Sequence, residues 1–131
     1  MKPGKPFLFA RTQRGQAMGS LPGNPLSAAS GLHEFILPAP RQMSGRSPEI
    51  CRPPPSARLQ STIRNKPGCQ RHRLAALAWT SSGPELAPTD SYHTTDLAAG
   101  ARADGTIIVP PSEPELAAGA FVDFRPWRPW P

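Results

Sequence analysis

Proline and glycine fall so often along this chain that only three stretches of eleven or more residues are free of both: Ser56 to Lys66, Cys69 to Ser82, and Thr89 to Ala99. Proline removes a backbone donor and blocks the preceding helical turn, while glycine weakens helices and strands alike, so regular structure is expected mainly between these residues. There are 19 Pro and 11 Gly among 131 residues. Large apolar side chains are sparse as well, with 11 Leu, 5 Ile, 2 Val and 5 Phe. A chain with little to bury and a frequently broken backbone is expected to stay mostly disordered.

The fold class expected is therefore a mostly intrinsically disordered, Pro/Gly/Ala/Arg-rich, low-complexity chain without a compact domain, carrying short α-helices near 56–66, 69–80, 94–103 and 113–123. Ser56 follows three prolines and can cap a helix whose Leu59 and Ile63 share a face, and Pro67-Gly68 then turns the chain. Leu74, Leu77 and Ala78 share a face of the next run, which stops at Gly83-Pro84. The division that follows is a basic disordered segment over 1–55, a basic helical hairpin over 56–80, an Ala/Pro-rich segment over 81–120, and an aromatic tail over 121–131. Residues 96–104 and 115–123 share the string Leu-Ala-Ala-Gly-Ala, which reads as low complexity. Between them Thr106 to Val109 is β-prone but lacks an evident partner strand, so extended coil is expected there.

Charge is uneven. Residues 1–79 hold 12 basic and 2 acidic side chains, and residues 80–131 hold 3 and 7. The densest basic stretch contributes Arg41, Arg46, Arg52, Arg58, Arg64, Lys66, Arg71 and Arg73, a spacing suited to weak, salt-sensitive contact with RNA or DNA backbones. Ser44, Ser47 and Ser61 lie within it as candidate phosphorylation sites that would reduce its charge.

At the other end Phe121, Phe124, Trp127 and Trp130 recur every third residue, the period of polyproline II. With Arg125 and Arg128 interleaved, they form a candidate surface for an anionic membrane or a protein groove. In composition, Arg125 to Pro131 resembles the Trp/Arg/Pro-rich host-defence peptides of the indolicidin kind, a resemblance that implies membrane-surface activity. Short P-x-x-P strings offer weak linear motifs for protein partners.

Chemistry-bearing patterns are missing. His33-Glu34 is followed by Leu37 where a zinc protease helix needs its second His, and Cys51 and Cys69 form no C-x-x-C. No phosphate loop, dinucleotide fingerprint or nucleophile elbow is present. The expectation is a non-enzymatic protein with no cofactor or metal, a short open-reading-frame product without a selected activity, or else a cationic or aromatic linear binder. No apolar run has the length of a secretory core or a membrane span. A cytoplasmic or nuclear location is expected ahead of a mitochondrial one.

Overall fold

Five strands close into a small barrel in the computed structural model, which describes residues 2–48, 55–90 and 95–128. Their order around the barrel is β3 (Ser56–Leu59), β6 (Gly83–Pro88), β5 (Arg71–Thr80), β7 (Gly105–Val109) and β9 (Phe121–Pro126). All neighbouring pairs are antiparallel except β3 and β6, which run parallel through Arg58↔Glu85 and Leu59↔Leu86. Two small two-stranded antiparallel sheets accompany it: β1 (Leu8–Arg11) with β2 (Ala17–Ser20), and the sequence-distant β4 (Ile63–Arg64) with β8 (Glu115–Leu116). The expectation of a disordered, low-complexity chain without a compact domain is overturned.

Period two, rather than helical period, explains why these segments are strands. In β3, Ala57 and Leu59 are buried between exposed Ser56 and Arg58, and in β9 Val122 and Phe124 are buried between exposed Phe121 and Asp123. These residues meet Leu86, Ile107 and Val109 in one apolar core. Few large side chains suffice, because fully buried Ala57 and Ala75 let the backbones approach across the interior. The helices expected at 56–66, 69–80 and 113–123 are therefore strands and turns. Thr106 to Val109, expected as lone coil, is paired on both sides, by β5 and by β9.

Gly83 is a hairpin residue and not a helix stop. Its φ of 109° lets the chain reverse after Ser81 and Ser82, so that Thr80 pairs with Gly83 and Trp79 with Pro84. The Thr80 hydroxyl donates to the Gly83 carbonyl (2.9 Å) and accepts from the Ser82 N–H (3.1 Å).

Helix forms within the proline-punctuated segment Pro25–Met43. Asn24 caps α1 (Pro25–Gly31) by accepting from the Ser27 N–H, and Pro25 occupies the first turn, where its missing donor costs nothing. The chain continues through a π-helical turn, Leu32–Ile36, into α2 (Pro38–Met43). The Leu37 N–H reaches back five residues to the Leu32 carbonyl (2.9 Å), so the widened turn falls just ahead of Pro38, which lacks an N–H for an ordinary α-helical bond. A third helix, α3 (Leu97–Arg102), lies inside the expected 94–103 range and is capped by Asp96, which accepts from the Ala99 N–H (2.9 Å).

The two Leu-Ala-Ala-Gly-Ala strings have different structures. The first is α3, and the second runs from the end of β8 through a turn to the start of β9. No helix among the described residues is long and apolar enough to cross a membrane.

Candidate functional site

Strand β5 connects the barrel to the helices. Leu74 packs with Leu26 of α1 and with Ala99 and Ala103 of the α3 region, and Trp127 closes against this second apolar cluster. The opening segment runs beside the start of the strand: the Lys2 N–H donates to the Gln70 carbonyl (2.9 Å) and the His72 N–H donates to the Lys2 carbonyl (2.8 Å). Farther along, the Thr89 N–H donates to the Leu74 carbonyl (2.8 Å). Residues 2–6, α1 and β5 thereby border a half-open cavity of about 390 Å³, within the range of small-molecule sites.

The charge of its lining is one-sided. Lys2, Lys5, Arg71 and Arg73 line it, and no Asp or Glu does. Leu26, Leu74, Pro3 and Pro6 add apolar surface. His72, also in the lining, is buried, and loss of hydration pushes its pKa below the ordinary 6.5; Glu34 works against that shift and Arg125 with it. The ring is thus neutral at pH 7. With the Gln70 amide donating to Nε2 (2.9 Å), the ring proton sits on Nδ1 and is given to the Thr106 hydroxyl (3.4 Å).

Two polar atoms at this site have no partner. Ser30, only 3% exposed, lines the cavity, and its buried hydroxyl makes no hydrogen bond, although a helical serine commonly returns to the carbonyl one turn back. Arg71 Nε is likewise buried without an acceptor. Buried donors in this condition are uncommon and call for an explanation.

Of the basic stretch, Arg71 and Arg73 alone line the cavity among its described residues. Arg41, Arg46 and Lys66 are exposed elsewhere, Arg58 lies over the Phe121 ring at 5.6 Å, and Arg64 pairs with Glu115 at 3.5 Å. Arg52 lies outside the described residues, as do Cys51 and Trp130. The stretch is scattered over helix, barrel and loop rather than laid out as one flexible cationic strip. Ser44, Ser47 and Ser61 are all exposed, and the Ser44 hydroxyl donates to the Arg41 carbonyl (2.7 Å).

The aromatic tail is also corrected. Phe124 is fully buried in the barrel, Arg125 is buried in an ion pair with Glu34, and Trp127 stacks on His33 with ring centroids 5.9 Å apart. Phe121 and Arg128 are exposed, and Arg128 Nη1 lies 3.7 Å from Asp104 Oδ1. These side chains belong to a strand and its end, so they are not a free membrane or groove-binding element. No local pattern marks the cavity: Ser27 and Ser30 lie in the Pro/Gly-broken first segment, and Lys2 and Lys5 join the lining only through the fold. Among the described residues no His/Cys/Asp/Glu cluster could hold a metal ion, and Cys69 is a free thiol.

The chain matches no protein-family model. It is 33% identical, over 120 residues and 91% of its length, to molybdopterin molybdenumtransferase 2 from two strains of Mycobacterium tuberculosis, CDC 1551 and H37Rv. It spans 28% of those proteins. Two crystal structures of the molybdopterin biosynthesis MoeA protein from Pyrococcus horikoshii have the same fold. One superposes with a TM-score of 0.76 at 22% identity, over 98% of this chain and 30% of the other. The second gives 0.68 at 18% identity, over 94% and 29%. Similarity on this scale to a named enzyme overturns the reading of a non-enzymatic open-reading-frame product, and with it the disordered nucleic-acid, membrane and groove binders.

Proposed function

We propose that this chain works in molybdopterin chemistry, as a ligand-holding part of a molybdenumtransferase-type enzyme, and that the cavity between α1, residues 2–6 and β5 receives the pterin substrate. The observation that carries this reading is the 33% identity to a molybdopterin molybdenumtransferase along 91% of the chain. The cavity supports it physically, since its volume suits a small organic ligand and its cationic lining favours an anionic one. Because the chain spans 28% of those relatives, transfer of molybdenum comes to it only as part of this proposal.

Titration with molybdopterin, followed by the fluorescence of Trp127 beside the cavity's Leu26 and Leu74, tests the reading. Saturable binding is expected, and Ser27→Phe, which fills the cavity from α1, is expected to abolish it while circular dichroism stays unchanged. Absence of binding by the unmodified chain would overturn the proposal.

A further inference from the structure

We propose that the outer edge of β1 is a docking site for an extended, acidic segment of another polypeptide, which adds to the β1–β2 hairpin as a third strand. No residue of β1 or β2 lines the cavity, so this surface does not depend on the pterin reading. All eight residues of the two strands are exposed, and among the described residues no strand pairs with either outer edge. A free edge is a template for a further strand. The phase of the ladder assigns the groups it offers. The Thr12 N–H donates to the Gln16 carbonyl (2.9 Å), and bonded and non-bonded pairs alternate along an antiparallel ladder. Ala10↔Met18 and Leu8↔Ser20 are therefore bonded pairs, whereas Phe9 and Arg11 turn their N–H and C=O groups away from β2.

The edge is formed before any partner arrives. Phe7 stacks on Phe35 with ring centroids 4.6 Å apart, Gly19 lies so close to Ile36 that an added carbon would collide with its Cδ1, and Leu21 fits against Gly31. These contacts seat one face of the hairpin on the π-helical turn and the end of α1, which spares a partner the cost of ordering it. The opposite face carries Leu8, Ala10 and Met18, with Leu8 68% and Met18 57% exposed. Phe9, on the edge itself, is 66% exposed. A strand laid beside β1 would set its alternate apolar side chains against Leu8 and Phe9.

Charge selects the partner. Residues 1–33 carry Lys2, Lys5, Arg11 and Arg14 and no Asp or Glu. A second copy of this chain would bring the same cations against one another, whereas an acidic strand offsets them. Arg11 Nε donates to the Gly15 carbonyl (3.2 Å), which draws that side chain toward the turn and leaves the edge at Phe9 clear. Membrane hydrocarbon has no partner for the outward N–H and C=O groups, and a strand pairs them.

The test is titration of the full chain with a short peptide alternating valine and glutamate, and with its valine and lysine counterpart, read by amide chemical shifts and hydrogen exchange. Shifts centred on residues 8–11 and slowed exchange of the Phe9 and Arg11 amides are expected, with the glutamate peptide bound at least about tenfold more tightly. Phe9→Pro removes an outward N–H without touching the β1–β2 ladder, and should weaken binding about tenfold or more. Ala17→Pro, on the other outer edge, should change affinity by less than about twofold. Arg11→Glu with Arg14→Glu, which keeps the backbone edge, is expected to shift preference toward the lysine peptide.

No binding of the glutamate peptide, or equal binding of the two peptides by the unmodified chain, would overturn the proposal. Undiminished affinity in Phe9→Pro would do the same. Concentration-dependent dimerisation in sedimentation, with the shifts at residues 8–11, would assign the edge to a second copy instead. Binding to phosphatidylglycerol vesicles without binding to the peptide would assign it to a lipid surface and remove the strand.

Discussion

Arg125 Nε donates to Glu34 Oε2 at 3.0 Å across 91 positions of sequence, joining the last barrel strand to the π-helical turn. Both side chains are more than nine-tenths buried. Removing one partner strands a charge away from water, so Glu34→Gln and Arg125→Met are each expected to cost about 3–5 kcal/mol. The double substitution should cost less than the sum of the two. Urea unfolding of the three variants measures the coupling, and additive losses would show that the pair does not act as a unit.

Gly105 faces Pro126 across the β7–β9 ladder, where an added methyl would run into the Arg125 carbonyl and sit 2.7 Å from the Phe124 ring. Backbone cannot yield as a flexible side chain does. Gly105→Ala is expected to destabilise the barrel by about 1–3 kcal/mol or more, whereas Gly23→Ala, with nothing near its added carbon, should stay within about 0.5 kcal/mol. Thermal melts of both variants test the contrast.

Acid should weaken the fold through two histidines. The pKa of His72 is lowered by burial, and that of His33 is lowered by burial first and then by Arg41 and Arg125. A lowered folded-state pKa means that the unfolded chain takes up the proton first as pH falls through the ordinary 6.5. Stability is therefore full above that value and declines below it, toward each folded-state pKa. Urea midpoints are expected to drop between about pH 7 and pH 5, and His72→Gln should flatten part of that slope. A pH-independent midpoint would contradict the assignment of neutral rings.

Phe121 and Phe124 lie three positions apart and have opposite fates, the first 67% exposed and the second fully buried. Phe124→Ala should cost about 3–5 kcal/mol by opening a cavity in the barrel. Phe121→Ala loses mainly its contact with Arg58, on the order of 0.5–1 kcal/mol at an exposed site. Comparable losses from the two would mean that the period-three reading described the segment better than the strand does.

That pair also shows how much of the molecule could be read from its sequence. Local signals were present: the β-prone run at Thr106–Val109, the alternation of Val122 and Phe124, and the Asp96 cap of α3. What decides their meaning is remote. Thr106 to Val109 becomes a central strand because Arg71–Ala75 and Phe124–Pro126 pair with parts of β7, and no local window contains those partners. Leu59 and Ile63 fit a helical face and a strand equally well in so short a run, and tertiary pairing chose the strand. Proline misleads for a different reason. Pro25 starts a helix and Pro38 follows a widened turn, two positions where its usual penalty is absent. The cationic lining was visible only as charge, because Lys2, Lys5, Arg71 and Arg73 meet through the path of the opening segment along β5.

The barrel is held unequally around its circumference. Between β5 and β6 the register runs through six residue pairs, whereas β3 and β6 share two. Opening is expected to begin at that short seam, where the fewest backbone bonds must break. An opened barrel would uncover Leu59 and Leu86, and further unzipping would release Ile107 to Val109, an apolar β-prone strand with its backbone groups unpaired. Resistance of this chain to self-association thus depends on a two-residue clasp, and a cross-link across it, such as Arg58→Cys with Glu85→Cys, would protect solubility more than stability elsewhere would suggest.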